Sequence, residues 1–232
     1  MFLPYYFDPT YVLLIPALLL AIYAQAKVQS TFRRYLHERS QVGMTGAEVA
    51  RRLLDANGLY DVPVEITAGT LSDHYDPRTR RMRLSPQVYQ STSVAALGVA
   101  AHETGHAVQH DQNYIPLGIR NNLFPVASIG SQMAFPLFFI GLIMASNTLM
   151  NVGIWLFLAA LAFQLITLPV EFNASRRALV MLEDGGYLTA MEKPKARKVL
   201  SAAALTYVAA VAMAASQLVR LLLLRGARSE RN

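Results

Sequence analysis

The sequence predicts a mainly α-helical protein that crosses a membrane several times and carries a polar region with a small β element. Hydrophobic residues make up 53% of the 232 residues, and the mean hydropathy is +0.29. Both values are higher than is usual for a soluble globular domain. Roughly 20 apolar residues are enough for a helix to span a bilayer. Four segments approach or reach that length, at residues 11–26, 126–145, 148–168 and 200–224.

Composition also excludes several kinds of function. The chain has no cysteine, which excludes disulfide bonds, thiolate metal ligands and thiol nucleophiles. A bound metal must therefore be held by His, Asp or Glu. The net charge is +6, but the basic residues are not interleaved with an aromatic platform or a recognisable reading helix. We therefore expect no nucleic-acid partner.

The first apolar segment is interpreted as a retained anchor covering residues 1–26. No basic residue precedes "YVLLIPALLLAIYAQA", and the segment continues into an amphipathic stretch rather than a cleavage region. The next two segments form a predicted transmembrane hairpin at 126–170, broken only by "SNTLMN". The fourth, at 200–224, is alanine-rich and contains Arg220, so it either crosses the membrane or forms a buried helix. A basic tail at 225–232 follows it.

The polar region at 27–125 contains its own signals for local structure. Thr45 and Glu48 form a capping-box pattern at the start of an amphipathic helix, with Gly58 at its expected end. The segments "VPVEIT" and "RRMRLS" are predicted strands of a small hairpin or two-stranded edge, and "DPRT" is a predicted turn. Ser91, Thr92 and Ser93 are competent N-caps for the helix that follows.

That following helix carries the motif HExxH, in "VAALGVAAHETGHAVQH". His102 and His106 lie one turn apart on the same helical face, so both imidazoles can bind one Zn²⁺. Glu103 can reach a water bound to that ion and act as its general base. The alternative, three polar groups that only form hydrogen bonds in a buried pocket, is disfavoured because such burial without function is costly. The motif therefore predicts metal-assisted hydrolysis, most naturally of a peptide bond.

The third metal ligand has two candidates in the sequence. His110 would lie about 6 Å beyond His106 along the same helix, too far to share one tetrahedral ion. Gln109 and Gln112 stand where a metzincin would have its turn glycine and third histidine. Glu171, at the end of the third apolar segment and the start of a predicted loop and helix at 171–199, is the better candidate. Its alternative role is an interfacial ion pair with Arg176.

Three motifs together resemble the bacterial YugP-like neutral zinc metallopeptidases: "DHYDPRTRRMRLSP", the HExxH segment and "PVEFNASRRAL". "HETGH" followed by "EFNAS" is also similar to integral-membrane gluzincins such as the HtpX and CAAX prenyl protease families. The resemblance implies a zincin-like catalytic region in which His102, His106 and Glu171 bind zinc and Glu103 is the general base. Where the larger families have an Asp that orients a zinc ligand, this chain has Ser175.

Three further residues are candidates for the substrate cleft. Asp73 and His74 in "SDHYD", together with Tyr187, could line the cleft or donate to a developing oxyanion, because zincins commonly bind extended peptide along an edge strand. An equally good interpretation of Asp73 and His74 is that they are turn residues bonding to nearby backbone. We do not assign any of the three a catalytic role.

The basic residues predict the orientation in the membrane. The loop from Lys27 to Arg120 holds eleven Lys and Arg residues and the loop after Glu171 holds six, whereas the first ten residues and the hairpin turn hold none. The positive-inside rule therefore places the catalytic half in the cytoplasm. The expected partners are the lipid bilayer and protein or peptide substrates. The sequence does not specify an oligomeric state.

The sequence thus predicts a membrane zinc endopeptidase that acts on membrane or membrane-adjacent proteins. A non-catalytic scaffold that keeps zinc for stability is the main alternative, but such a scaffold has no need of Glu103. A metal transporter is a second alternative. It is disfavoured because the predicted histidine ligands cluster in a polar loop rather than midway along several spans.

Overall fold

The computed structural model describes residues 9–229, which form seven α-helices, one short 3-10 helix and one three-stranded sheet. The helices are α1 Ile15–Leu36, α2 Gly46–Ala56, α3 Pro86–Tyr89, α4 Val94–Asp111, α5 Ile115–Ile143, α6 Asn147–Asp184 and α7 Lys193–Ser229, with the 3-10 helix at Pro9–Leu14. The strands are β1 Val64–Ile66, β2 His74–Asp76 and β3 Arg81–Leu84. The prediction of a mainly α fold with a small β element is confirmed.

Four helical segments are long and apolar enough to cross a membrane, as predicted. They are Pro9–Leu36, Ile115–Ile143, Asn147–Asp184 and Lys193–Arg228. Large apolar side chains on them are exposed to the surroundings, among them Ile129 (61%), Trp155 (71%) and Ile143 (82%). Such exposure suits contact with lipid and would be unfavourable in water.

The helices extend beyond the apolar segments from which they were predicted. The first continues ten residues past the expected boundary at residue 26, to Leu36. The third apolar segment does not end in a loop at Glu171, because α6 continues to Asp184. Residues 171–184 are rich in good helix formers, and Pro169 removes only its own N–H from the helix. The turn comes later, at Gly185 and Gly186, where Gly186 has a φ of +68°.

The chain folds into two compact units. The first consists of residues 9–23, 120–166 and 207–229 within the described range. Its core contains Phe138, Met150 and Leu221. A Cβ atom on Gly153 would lie 2.7 Å from the carbonyl oxygen of Ala134. This glycine therefore allows α5 and α6 to pack closely, as small residues do between membrane helices.

The second unit consists of residues 24–119 and 167–206 and contains the sheet and the HExxH helix. Its helix α2 begins with the predicted capping box, in which Thr45 Oγ1 accepts from Glu48 N at 3.2 Å and Glu48 Oε2 accepts from Thr45 N at 2.8 Å. Val49 and Leu53 of α2 pack against Leu97 and Ala101 of α4. This packing holds α4 in the centre of the unit.

The sheet has three strands in the order β1-β3-β2 and differs from the expected hairpin or two-stranded edge. The two predicted strands, β1 and β3, do pair, but in parallel. The hairpin partner of β3 is β2, which runs antiparallel to it and was not predicted. The predicted "DPRT" turn joins them, and Asp76 accepts from Arg78 N at 2.9 Å and Thr79 Oγ1 at 2.7 Å. β2 is only three residues long and polar, so it lacks the alternating pattern of a recognisable strand.

Candidate metal centre

Helix α4 presents both histidines of the HExxH motif on one face. Ser93 caps the helix, its Oγ accepting from Ala96 N at 3.1 Å, as the sequence predicts. The rings of His102 and His106 lie edge to face with their centroids 4.7 Å apart. Their Nε2 atoms therefore point to a common position beside the helix.

Glu171 of α6 faces the same position. Its Oε2 lies 3.2 Å from His102 Nε2 and 3.5 Å from His106 Nε2. Two ligands bound tetrahedrally at about 2 Å from one ion would be roughly 3.3 Å apart, so these spacings fit a shared metal. Two imidazole nitrogens and one carboxylate oxygen are also a donor set that zinc commonly has in hydrolases. The three residues form the candidate metal group within the described residues 9–229.

A close crossing of α4 and α6 brings these ligands together. Gly105 lies between the two histidines, and a Cβ atom there would be 2.7 Å from the carbonyl oxygen of Ala174. Real Cβ atoms do not approach a backbone oxygen so closely. The absence of a side chain at position 105 is therefore what allows the backbone carrying Glu171 to approach the histidines.

Each histidine forms a hydrogen bond through its other ring nitrogen. His102 Nδ1 lies 3.1 Å from Ser175 Oγ, and His106 Nδ1 lies 3.0 Å from Gln109 Oε1. When Nδ1 carries the proton, it donates to these oxygens and leaves the Nε2 lone pair free for a metal. Ser175, at the position where the sequence departs from the resemblance, thus contacts one of the two candidate zinc-binding imidazoles.

Gln109 is itself held by a polar network between α4 and α6. Its side chain is fully buried, and its Nε2 donates to Val170 O at 2.8 Å and to Asn173 Oδ1 at 2.9 Å. Asn173 Oδ1 also accepts from Arg177 Nε at 2.7 Å. These contacts fix the amide of Gln109 with its oxygen toward His106.

Glu103 lies next to the metal group in a buried position. Its Oε2 accepts a hydrogen bond from Tyr75 N in β2 at 2.9 Å. The pKa of Glu103 is raised to about 7, chiefly because burial disfavours the charged form; the Glu171 and Asp73 carboxylates add to this rise, and the nearby His102 opposes it. A cation held by the three ligands would favour the ionised form. A carboxylate with a pKa near neutrality is suited to accept and return a proton.

Comparison with known proteins places the chain in a family. The sequence model of a family described as "Putative neutral zinc metallopeptidase" matches residues 10–226, nearly the whole chain. The chain belongs to this family. It is also 50% identical over 212 residues to the "Putative membrane protease YugP" of Bacillus subtilis (strain 168), across 91% of this chain and 94% of that protein. No solved structure matches the chain.

The family assignment confirms the resemblance inferred from the motifs. Zinc is the metal that the family description names, and the donor set His102, His106 and Glu171 fits it. The relative is described as a membrane protease, and the chain has four helical segments able to cross a bilayer. This metallopeptidase family member is therefore a multi-pass membrane protein.

The structure places the other candidate residues outside the metal group. His110 Nδ1 lies 2.9 Å from Tyr75 Oη, so this histidine is engaged on the side of β2.

The two cleft candidates next to β2 have local partners. Asp73 accepts from Ser85 N at 2.7 Å and from Ser85 Oγ at 3.0 Å, and His74 Nδ1 lies 2.8 Å from Ser72 O. These contacts favour structural roles for Asp73 and His74 at the ends of the short strands.

Tyr187 also has structural contacts. Its ring packs against the apolar cluster formed around α2 and α4, and its backbone oxygen accepts from Ser40 Oγ at 3.5 Å. The ring leaves no room for a side chain at position 185, because a Cβ atom on Gly185 would lie 2.3 Å from it. The tyrosine thus helps to fix the turn between α6 and α7.

Sequence reasoning missed Gln109 and Tyr75. The motif pattern uses Gln109 only to exclude a metzincin turn, although its position three residues after His106 places it on the same helical face. This spacing of three residues could have identified Gln109 as a partner of His106 from the sequence. Tyr75 gave no signal, because its contribution to Glu103 is a backbone N–H.

Proposed function

We propose that this chain is a membrane-embedded, zinc-dependent endopeptidase of the gluzincin type. In this proposal His102, His106 and Glu171 hold the zinc ion, and Glu103 is the general base. One observation carries it. The two Nε2 atoms and Glu171 Oε2 converge at 3.2 and 3.5 Å, and a buried carboxylate lies on the same helix immediately after the first histidine.

The chemistry assigns a separate task to each residue. Zinc in this site would polarise the scissile carbonyl and make a water molecule more acidic. Glu103 accepts a proton from that water while the water oxygen attacks the carbonyl carbon. Glu103 then returns the proton to the nitrogen as the C–N bond breaks. Tyr75 N–H holds one oxygen of Glu103 in place, and Ser175 and Gln109 hold the two imidazoles.

The proposed substrates are membrane proteins or protein segments close to a membrane. Glu171 lies in α6, one of the helices long and apolar enough to cross a bilayer. A substrate must therefore reach a site built partly from such a helix. The basic residues flanking the site in sequence favour a cytoplasmic location for it.

The decisive experiment separates the endopeptidase from a scaffold that only keeps zinc. Glu103→Gln retains the shape of the side chain but removes the base. In the full-length protein purified in detergent, we expect cleavage of an unfolded protein to fall by roughly 10²–10⁴-fold. Zinc content measured by mass spectrometry should be unchanged. Equal cleavage by this variant and the wild type would reject a hydrolytic role for Glu103.

Ligand variants test the metal assignment itself. We expect one zinc ion per chain in the wild type, and loss of it in His102→Ala, His106→Ala and Glu171→Ala. His110→Ala is the matched control, because His110 lies on the same helix but contacts Tyr75. If His110→Ala lost zinc while Glu171→Ala kept it, the third ligand would be wrongly assigned.

A further inference from the structure

A cationic cavity in the second unit shares no lining residue with the metal group. It has a volume of about 730 Å³ and lies between residues of α1 and the first turns of α7. Five basic side chains line it, and its lining includes no carboxylate among the described residues. These five are Lys27, Arg34, Lys193, Arg197 and Lys198.

Most of these cations have no internal counter-ion. Lys193 forms an ion pair with Glu183, but within residues 9–229 Lys27, Arg34, Arg197 and Lys198 form no ion pair with a carboxylate. Nearby Lys195, outside the cavity, does pair with Glu38. Carboxylates therefore pair with Lys193 and Lys195 but leave four cations of the cavity without an ion pair among the described residues. Like charges gathered around one space favour an anion within it.

The cavity also offers a hydroxyl group. Thr31 lines it between Lys27 and Arg34 on α1. Its side chain is largely buried, and its hydroxyl forms no hydrogen bond within the described part of the chain. Hydroxyl and guanidinium donors together suit the several acceptor oxygens of a phosphate group.

The lining changes from basic to apolar along α7. Ala202 and Leu205 also line the cavity, and Leu205 lies about 10 Å beyond Lys198 along the helix axis. On α1, Lys27 follows directly after the apolar segment that ends at residue 26. The cavity therefore combines a cationic end with an apolar end that leads into two predicted spans. A free anion would use only the cationic end.

We propose that this cavity binds an anionic phospholipid. The phosphate lies among Lys27, Arg34, Arg197 and Lys198, and an acyl chain runs past Leu205. Basic pockets between membrane helices bind anionic headgroups in this way. The site is separate from the metal group, so it would anchor this unit at the membrane surface whether or not the chain hydrolyses peptides.

The test uses the full-length protein, delipidated in a zwitterionic detergent and titrated with phosphatidylglycerol in mixed micelles. Native mass spectrometry measures the bound lipid. We expect Arg197→Gln/Lys198→Gln to weaken phosphatidylglycerol binding by roughly tenfold or more. The matched control is Arg33→Gln/Arg52→Gln, which removes the same charge from exposed positions outside the cavity. We expect this control to bind like the wild type.

Further binding measurements identify the class of ligand. Phosphatidylcholine should bind the wild type and the cavity variant equally weakly, and inorganic phosphate at the same concentration should not displace the bound phosphatidylglycerol. Lys27→Gln/Arg34→Gln is an independent cavity variant and should show the same loss. If Arg33→Gln/Arg52→Gln lost as much phosphatidylglycerol binding as the cavity variants, binding would depend on general surface charge and the proposal would be overturned. Displacement by inorganic phosphate would overturn the lipid assignment.

Discussion

The two imidazoles of the candidate metal centre both form hydrogen bonds to uncharged oxygens, from Ser175 and Gln109. Metal-binding histidines commonly donate to a carboxylate or a backbone carbonyl, and loss of such a partner weakens metal binding by about 10–100-fold. We expect Ser175→Ala and Gln109→Ala each to weaken zinc binding within that range. Competition with a chromogenic chelator would measure it.

Two further variants make this prediction specific. Ser175→Asp introduces a carboxylate as the partner of His102 and should bind zinc at least as tightly as the wild type. Gln112→Ala, at the end of the same helix, removes an amide that contacts Arg177 and neither histidine, so zinc affinity should not change. If Ser175→Ala bound zinc normally, the serine would have no orienting role.

At the scale of single residues, the metal group and the contact of Gln109 with His106 were open to prediction from helical spacing, and the contact of Ser175 with His102 was not. HExxH has a fixed helical geometry, so the sequence alone determines that His102 and His106 share a face. Glu171 was recognisable as an acid at the end of an apolar segment. The contact of Ser175 with His102 depends on how far α6 has rotated about its axis, which no local pattern specifies.

At the scale of helices and strands, the crossing of α4 and α6 depends on Gly105. We expect Gly105→Ala to displace α6, because its Cβ atom would lie 2.7 Å from Ala174 O. Overpacking of this kind typically destabilises by about 1–3 kcal/mol. Zinc affinity should fall as well, since Glu171 moves with α6. Thermal unfolding and zinc content measure the two effects.

Gly98→Ala is the control on the same helix. There the nearest atom to an added Cβ is Ala196 Cβ at 3.8 Å, an ordinary van der Waals distance. Alanine is also a better helix former than glycine by about 1 kcal/mol, so this variant should be as stable as the wild type or more so, with zinc retained. A similar loss in both variants would contradict the role given to the crossing.

Local signals predicted some elements better than others. The capping box at Thr45 and the cap at Ser93 operate within one helical turn, so they could be recognised in the sequence and both are present. Strand β2 could not be recognised, because its three residues are held by pairing with β3 and by the contact from Glu103. The parallel pairing of β1 with β3 is likewise a result of tertiary packing.

At the scale of the whole molecule, composition and hydropathy were sufficient to predict a helical membrane protein. Lipid-facing helices require long apolar sequences whatever their packing, so four candidate spans could be identified in advance. Helix ends were less predictable, because α6 continues past its apolar portion into the polar residues up to Asp184. Hydropathy marks where lipid contact ends, and a helix can continue beyond that boundary.

The side of the membrane that holds the metal centre remains a prediction, and the chain is well suited to testing it. It contains no cysteine, so a single introduced thiol gives an unambiguous signal. Thr70→Cys lies between β1 and β2 in the unit that contains the metal group, and Thr148→Cys lies at the start of α6 beside the hairpin turn. Both threonines are exposed, which makes them a matched pair.

In intact cells we expect an impermeant maleimide to label Thr148→Cys and to leave Thr70→Cys unlabelled, because the basic loops around the metal centre should stay in the cytoplasm. After the cells are permeabilised, both cysteines should react. That step controls for local protection of the thiol. Labelling of Thr70→Cys alone before permeabilisation would place the metal centre outside the cell, where cytoplasmic segments of membrane proteins could not be its substrates.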